Sequence, residues 1–497
     1  MTTVIAPEAR IRPASNKGRW IEHWDPEDET FWNDGGRQIA RRNLIFSIFA
    51  EHIGFSVWVI WSVSAALLSK QGFTFTPAQL FWLVAVPNLV GSLLRLPYTF
   101  AVPKFGGRNW TVISALMLLI PTGLFAFFVQ RPETPFWVFL VISATAGFGG
   151  GNFSSSMTNI NTFFPASQKG AALGLNAAGG NAGVAVIQFG LPILVGAGGA
   201  FGLVAASGVV HLQYAGYVFL GLALVSAILA FKFMDNLHAA FAKPRDQLAV
   251  VRYGDTWIMG LLYIGTFGSF IGYSSAMPLL IKLNFFRQIV PEAHSIGINF
   301  AFYAFLGAGV GSLTRPLGGW LADRFGGARV TLASFGVMIL GTIAVITTLS
   351  RLNPLPATTE AMIAQAKADP TAFEYPAKVV ELVNHNSAAF PWFLMAFLLV
   401  FAATGAANGS AYKMIPAIWK AKGRPGTEAS AALGVIGAAG ALGGFLIPIA
   451  FNTPWVSDPI GATKAAFWLF TGFYLLCAAV TYAVFLSKRS KFAGHCV

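Results

Sequence analysis

The chain has 497 residues, of which 55% are hydrophobic and only 11% are charged, and its formal net charge is +13. Soluble domains carry about 25% charged residues, so this composition, with a mean hydropathy of +0.62, excludes an ordinary soluble protein and indicates a polytopic helical membrane protein. Two cysteines argue against a disulfide framework or a cysteine metal site, and no clustered basic domain for nucleic acid is visible.

Residues 1–42 come before the first apolar stretch and are mostly polar. They contain no apolar core of a signal peptide, but they do contain three tryptophans, Trp20, Trp24 and Trp32. We therefore expect a short cytoplasmic segment that lies against the membrane face.

Twelve hydrophobic spans follow, which predicts an all-α fold with two pseudo-symmetric six-helix bundles at 43–234 and 254–487. A polar linker at 235–253 joins the bundles, a long external loop occupies 351–387, and residues 488–497 form a cytoplasmic tail. The predicted spans are 43–69, 77–102, 110–130, 134–163, 170–198, 212–234, 254–284, 293–322, 328–350, 388–417, 428–452 and 463–487.

The distribution of lysine and arginine predicts the orientation. If the N-terminus is inside, the cytoplasmic segments carry 23 of the 33 basic residues and the outer loops carry 8. Because cytoplasmic loops are enriched in lysine and arginine, we expect both termini in the cytoplasm of a protein of the inner membrane. The positive net charge of the chain therefore reflects its orientation in the membrane.

The other two basic residues are Arg95 and Arg315, each in the middle of an apolar span. Each ends a Gly-Ser-Leu-x-Arg run and is followed ten residues later by Phe-Gly-Gly, at Phe105 and Phe325, so the two copies are offset by 220 residues. A guanidinium at the bilayer centre costs about 3 kcal/mol on insertion scales. Two arginines at matching repeat positions therefore predict a paired anion site between two membrane halves.

Several motifs resemble the nitrate/nitrite porter family of the major facilitator superfamily. The two glycine-rich stretches 149–165 and 405–416 look like the nitrate signatures of that family, and Asp323-Arg-Phe-Gly-Gly-Ala-Arg329 looks like the loop motif of the superfamily. The first-half copy of the loop motif, at 103–108, lacks the acidic residue. The resemblance covers nearly the whole chain and implies a transporter of nitrate and nitrite.

The resemblance also implies which residues line the site. The paired arginines that bind the anion in the family match Arg95 and Arg315. Planar guanidinium groups suit a planar monovalent anion, amide and hydroxyl groups can donate further hydrogen bonds, and aromatic rings can stack on the anion. The other matching positions are Asn181, Tyr263, Phe55, Phe153 and Phe267.

The energy coupling has two readings. We find no carboxylate near Arg95 or Arg315 at span depth, so the empty site would hold two uncompensated positive charges and return only when loaded, which gives nitrate-for-nitrite exchange. Glu51 and His52 in the first span leave a second mode of energy coupling open. Ionisable residues at membrane depth are functional candidates, and Glu51 could carry a proton and make the protein a nitrate–proton symporter.

The remaining expectations concern gating and partners. Asp323, Arg324 and Arg329 are expected to clamp helix ends in one conformation. An anion channel is a less favoured rival, because one arginine in each repeat suits alternating access. The chain contains no Walker lysine motif, and we expect no enzyme activity, no cofactor, no metal and no nucleic-acid partner. The expected partners are the two anions and the lipid bilayer, and the expected state is a monomer, since one chain supplies a complete site.

Overall fold

A computed structural model describes residues 18–207, 209–238, 249–288, 295–356, 358–369, 372–452, 458–490 and 492. The first seventeen residues of the predicted N-terminal segment, residues 239–248 of the predicted linker and most of the predicted tail lie outside this part.

Six long helices form the first half of the described chain. Proline or a polar capping residue begins several of them; Thr76, for example, forms a reciprocal capping box with Gln79. The first helix is interrupted at Val59, and the third at Leu118. The helices are α1 (Arg37–Trp58 and Ile60–Leu67), α2 (Pro77–Phe105), α3 (Gly107–Met117 and Leu119–Phe128), α4 (Phe136–Phe163), α5 (Ala166–Leu194) and α6 (Gln213–Phe233).

Six more long helices form the second half. The first of them contains a π-helical turn, Ile264–Gly268. The helices are α7 (Gly254–Tyr263, the π turn and Ser269–Phe285), α8 (Phe305–Phe325), α9 (Gly327–Leu349), α10 (Ala377–Ala421), α11 (Gly426–Ala441 and Gly443–Ala450) and α12 (Pro459–Thr481).

The twelve-helix fold that the sequence predicts is confirmed for the described residues. Eleven of the helices are long and apolar enough to cross a membrane by themselves. The twelfth is α8, whose mean hydropathy is lowered by Arg315 and by a run of glycines. A helix of 21 residues still reaches about 30 Å at 1.5 Å per residue, which is the thickness of the hydrocarbon core.

The helices differ from the predicted segments at three places. The first long helix begins at Arg37, six residues before the predicted start at 43, and the short helix Glu29–Phe31 and the π-helical turn Trp32–Gly36 lead into it. The predicted span 293–322 begins as the β-strand Ser295–Gly297, paired with Phe286–Gln288, so that α8 starts only at Phe305. The predicted loop 351–387 contains a short helix, Glu360–Ala368, and the first eleven residues of α10. Helices extend beyond the apolar stretch because their backbone hydrogen bonds do not depend on hydropathy.

Short contacts tie the polar N-terminal segment to the chain after α6. The strand Trp20–Ile21 pairs in parallel with Asn236–Leu237. The buried carboxylate of Asp235 forms ion pairs with Arg19 at 2.8 Å and with Arg42 at 2.7 Å. The predicted linker therefore begins with a segment that is anchored to the first half.

The repeated Phe-Gly-Gly motif forms the same turn in both halves. Gly106 ends α2 with φ +84°, and Gly326 ends α8 with φ +87°. Because residues with a side chain rarely adopt positive φ, glycine at these two positions allows the next helix to start at once. The sequence repeat is thus a structural repeat.

The two halves are in contact at one end of the bundle, and a cavity lies between them toward the other end. We call the end at which α1 begins and α12 ends the terminal side, and the opposite end the distal side. At the distal side the ring of Phe81 stacks on Phe451, with centroids 6.0 Å apart, and Phe189 lies edge-on to Phe305 at 5.0 Å. At the terminal side α5, α8 and α10 surround a cavity of about 590 Å³, so access to the interior is from the terminal side.

Candidate functional site

Arg95 lies at mid-depth on α2 and is completely buried. Its Nε donates to the carbonyl oxygen of Gly150 on α4 at 3.2 Å, and its Nη1 donates to that of Gly437 on α11 at 2.8 Å. Its Nη2 is buried without a hydrogen-bond partner among the described residues. One guanidinium therefore joins the two halves and keeps one nitrogen free for a ligand.

Arg315 occupies the matching position on α8 in the second half and is 6% exposed. Its side chain lines the cavity at the terminal side, and its Nη1 is buried without a partner in the described part of the chain. A buried donor with no partner costs about 1–3 kcal/mol. Arg315 therefore offers an unsatisfied donor at the inner end of the cavity, whereas the unsatisfied donor of Arg95 lies in the buried interior.

The ring of Phe153 connects the two guanidinium groups. The Cζ of Arg95 lies 4.7 Å from its centroid, and the Cζ of Arg315 lies 5.8 Å from the same centroid. Phe267 on α7 stacks on Phe153 at 6.2 Å and lies 4.9 Å from the Cζ of Arg95. Aromatic faces attract cations, so the Phe153 ring stabilises both guanidinium groups, and the Phe267 ring adds to this at Arg95.

Tyr263 directly precedes the π-helical turn of α7, and Phe267 lies within it. Their rings stack with centroids 5.5 Å apart, and the Tyr263 hydroxyl is buried without a partner among the described groups. Single π-helical turns are frequent at functional sites because they change the direction in which side chains point. The turn brings both rings to the arginines and leaves one hydroxyl donor available.

Asn181 and Phe55, the remaining predicted site residues, are both buried in the first half. Asn181 on α5 is buried, and its Oδ1 has no partner in the described structure. Phe55 on α1 packs edge-on against Trp58 at 5.2 Å and lies 6.2 Å from Phe153. Phe55 therefore supports the Phe153 ring from behind, and Trp58, which lies 5.4 Å from the Cζ of Arg95, is a neighbour that we did not predict.

Glu51 corrects the expectation that no carboxylate lies near the arginines. It is buried in α1, and its Oε2 accepts hydrogen bonds from Asn176 at 2.7 Å and from the Ser156 hydroxyl. The carboxylate lies within electrostatic range of both Arg95 and Arg315. Sequence reasoning missed this because it compared residues on the same helix, whereas the contact is made between α1, α2 and α8.

His52, the neighbour of Glu51, has a packing role. Its Nδ1 lies 3.0 Å from the carbonyl oxygen of Gly179 on α5. The same stretch of α5 passes so close to α1 that a Cβ at Gly180 would overlap the Glu51 carboxylate. Only one of the two ionisable residues therefore faces the charged centre, as adjacent positions of a helix require.

Two residues of α10 belong to the site but were not predicted. Tyr412 lies 5.6 Å from the Cζ of Arg315 and 6.1 Å from Tyr263, measured to ring centroids. Asn408, one turn earlier on the same face, is buried, and both of its amide atoms lack partners among the described residues. Both residues fall within the glycine-rich stretch 405–416, which the sequence had already singled out. Nothing in the sequence, however, distinguishes Tyr412 from the other aromatic residues.

The predicted gating residues lie at the mouth of the cavity and do not contact one another. Asp323 forms an ion pair with Lys413 of α10. The guanidinium of Arg324 lies over the Trp320 ring at 4.1 Å, and Arg329 is exposed. The contact that joins helix ends is therefore between α8 and α10, within the second half.

The arrangement suits a small anion. Arg95, Arg315 and Tyr263 keep unsatisfied groups around the Phe153 and Phe267 rings, and electrostatic attraction in such apolar surroundings is stronger than in water. Among the described residues no group of three or more histidine, cysteine, aspartate or glutamate side chains could hold a metal ion. The unsatisfied donors give the site the means to bind and release an anion.

Comparisons with known proteins agree with this geometry. Residues 44–364 match the family model of the Major Facilitator Superfamily. The nitrate/nitrite transporter NarU of Salmonella typhimurium is 36% identical over 506 residues, covering 97% of this chain and 99% of that protein. The probable nitrate/nitrite antiporter NarK2 of Thermus thermophilus is 34% identical, covering 93% and 95%. The crystal structure of a D-xylose-proton symporter has the same fold, with a TM-score of 0.61 at 15% identity, covering 88% of this chain and 96% of that chain.

Proposed function

The chain belongs to the major facilitator superfamily, and we propose that it carries nitrate and nitrite across a membrane by alternating access. The observation that carries the proposal is the pair of buried guanidinium groups, Arg95 and Arg315, each with an unsatisfied nitrogen at one aromatic centre. The names of the relatives, a nitrate/nitrite transporter and a nitrate/nitrite antiporter, support the same substrates.

Nitrate and nitrite fit the chemistry of this centre. Both are planar monovalent anions, and a guanidinium presents a planar fork of donors that matches their oxygens. The Arg95 Nη2, the Arg315 Nη1 and the Tyr263 hydroxyl can each donate one hydrogen bond. The Phe153 and Phe267 rings cover the faces of the site and disfavour larger, strongly hydrated anions.

The shape of the protein supports alternating access over a channel. The distal side is closed by aromatic contacts between the halves, while the cavity of about 590 Å³ leads from Arg315 to the terminal side. We place the terminal side in the cytoplasm of a bacterial inner membrane, because most lysines and arginines lie there. This is then the inward-facing state of a carrier, and a single chain holds the whole site, which favours a monomer. The two transport units are the halves 43–234 and 254–487, joined by 235–253, with the first extended to Arg37.

Charge balance favours exchange. With Glu51 ionised, the two arginines leave the empty centre with a net charge of +1, and one nitrate or nitrite neutralises it. Closing apolar helices over a charged centre is costly, so the empty carrier should return slowly and the loaded carrier quickly. Nitrate uptake would then require nitrite to leave.

Proton coupling is the second candidate, and one observation favours it. The Glu51 Oε1 is buried without a partner among the described residues, so it can accept a proton without breaking a hydrogen bond. If Glu51 takes up a proton together with each anion, the carrier becomes a nitrate–proton symporter.

Labelled nitrate uptake into proteoliposomes distinguishes these coupling modes. Vesicles contain either nitrite or buffer alone, with and without an inward proton gradient. Exchange predicts uptake only with internal nitrite and little effect of the gradient. Gradient-driven uptake into empty vesicles that is lost in Glu51→Gln would establish symport instead, and non-saturating uptake without counterflow would identify a channel.

A further inference from the structure

Lys282 is a cation at the distal end of α7, where the two halves meet. It lies three residues before the helix ends at Phe285 and is only partly exposed. Its Nζ donates to the carbonyl oxygen of Ala66 at 2.6 Å and to the Ser69 hydroxyl at 2.8 Å. Both acceptors belong to the first half, so one ammonium group links the halves across the closed distal side.

One acceptor is a carbonyl at the end of a helix, and the other is the hydroxyl of Ser69 in the turn that follows. The outer part of α1 ends at Leu67 and continues as a short 3-10 turn, Leu68–Gln71. The last carbonyls of a helix carry a partial negative charge and attract cations. In the closed state this helix end therefore supplies the negative partner that Lys282 requires.

No carboxylate among the described residues forms an ion pair with Lys282. The charged group that interacts with it is a second lysine, Lys70, in the 3-10 turn of the opposite half. Two neighbouring cations repel each other and oppose closure of the distal side. A contact that served only to stabilise the closed state would pair Lys282 with a carboxylate. The two cations instead suit a lysine whose charge acts when the distal side is open.

Opening of the distal side separates α1 from α7, because they belong to different halves. Lys282 then loses both acceptors at once, and its ammonium faces the widening access path to Arg95 and Arg315. We propose that Lys282 is an anion-recruiting residue of the distal entrance, held by the carbonyl end of α1 in the closed state and presented to incoming small monovalent anions in the open state. When the distal side opens, the oxygens of the anion replace the Ala66 carbonyl and the Ser69 hydroxyl as acceptors for the Lys282 ammonium.

The proposal rests on the proposed transport of nitrate, and it concerns access from one side only. A positive group at the mouth of a cleft raises the local concentration of an anion and its association rate, with an effect that weakens as ionic strength rises. Lys282 is therefore expected to affect the KM for nitrate supplied at the distal side, and not the KM for nitrate supplied at the terminal side.

The test measures nitrate uptake in right-side-out and in inverted membrane vesicles loaded with nitrite. Lys282→Met should raise the distal-side KM by about tenfold and flatten the dependence of that KM on ionic strength. The terminal-side KM should change by no more than about twofold, because the substitution acts there only by shifting the population of the closed state. Lys282→Arg, which keeps the charge, should restore the distal-side KM. The matched control is Lys378→Met, which removes an exposed charge at the start of α10 and should leave both KM values unchanged.

A second measurement follows the opening of the distal side and does not require transport. Asn88 is buried between the halves, where its side chain donates to the Ser275 hydroxyl at 3.3 Å, so a cysteine there is accessible only when the distal side opens. In Asn88→Cys, with Cys477 and Cys496 replaced by serine, Lys282→Met should speed labelling by an impermeant thiol reagent from the distal side.

Three results overturn the proposal: equal changes of KM on both sides, a wild-type distal KM in Lys282→Met, or unchanged labelling. Failure of the proposed function would look different, because wild-type vesicles would then not take up nitrate at all, while the labelling difference would remain measurable.

Discussion

Replacing Arg95 by lysine keeps the positive charge but removes the fork of donors. In the protein the guanidinium holds Gly150 and Gly437 with two nitrogens and keeps Nη2 free. A lysine ammonium is shorter and is a point charge, so it cannot hold carbonyls of α4 and α11 and also reach an anion. A lost hydrogen bond to a charged group is worth about 1.5–3 kcal/mol, and 1.4 kcal/mol corresponds to about tenfold.

We therefore expect Arg95→Lys to lower kcat/KM for nitrate–nitrite exchange by about 10- to 150-fold. The assay is labelled nitrate uptake into nitrite-loaded proteoliposomes, normalised to the amount of folded protein by size-exclusion chromatography. Arg131→Lys, at an exposed arginine outside the site, is the matched control and should behave as wild type. An Arg95→Lys carrier within about twofold of wild type would refute the role of the fork.

Three further changes test the neighbours of the arginines. Tyr263→Phe removes a hydroxyl that has no partner among the described residues, so it should weaken nitrate binding about tenfold without lowering the melting temperature; unchanged affinity would mean that the hydroxyl does not touch the anion. Glu51→Gln removes a negative charge near the anion, so the KM for nitrate in the exchange assay should fall. Turnover should slow, because the loaded centre then keeps a net positive charge. An unchanged KM would contradict the charge balance. Gly409→Ala would place a Cβ against the Arg315 carbonyl oxygen and should cost about 1–3 kcal/mol of stability, seen as a lower melting temperature, whereas Gly472→Ala meets open space and should be neutral.

The sequence predicted the fold and the centre of the site because both depend on repeated patterns. Hydropathy indicates eleven of the twelve spans clearly, and the matching Gly-Ser-Leu-x-Arg runs locate the remaining one and identify Arg95 and Arg315 as a pair. The structure places both at one ring, Phe153. A repeat can be recognised without knowing how the helices pack.

Features that depend on helix rotation or length were not predictable in the same way. Glu51 contacts Asn176 and approaches the arginines only because α1 turns that face inward. The π turn at Ile264–Gly268 is a change of hydrogen bonding with no hydropathy signal. The first residues of α10 are polar and read as loop, because hydropathy reports membrane depth and not helix formation. Lys282 lies near the end of the predicted span 254–284, and its interactions could not be predicted from the sequence, since its acceptors lie 213 and 216 residues away.

The central claim is that the transported anion is held between Arg95 and Arg315. A structure of the protein with nitrate bound tests this most directly. We expect planar density at the Phe153 ring, within hydrogen-bond distance of the Arg95 Nη2 and the Arg315 Nη1. Nitrate bound elsewhere in the cavity, with contact to neither guanidinium, would contradict the account.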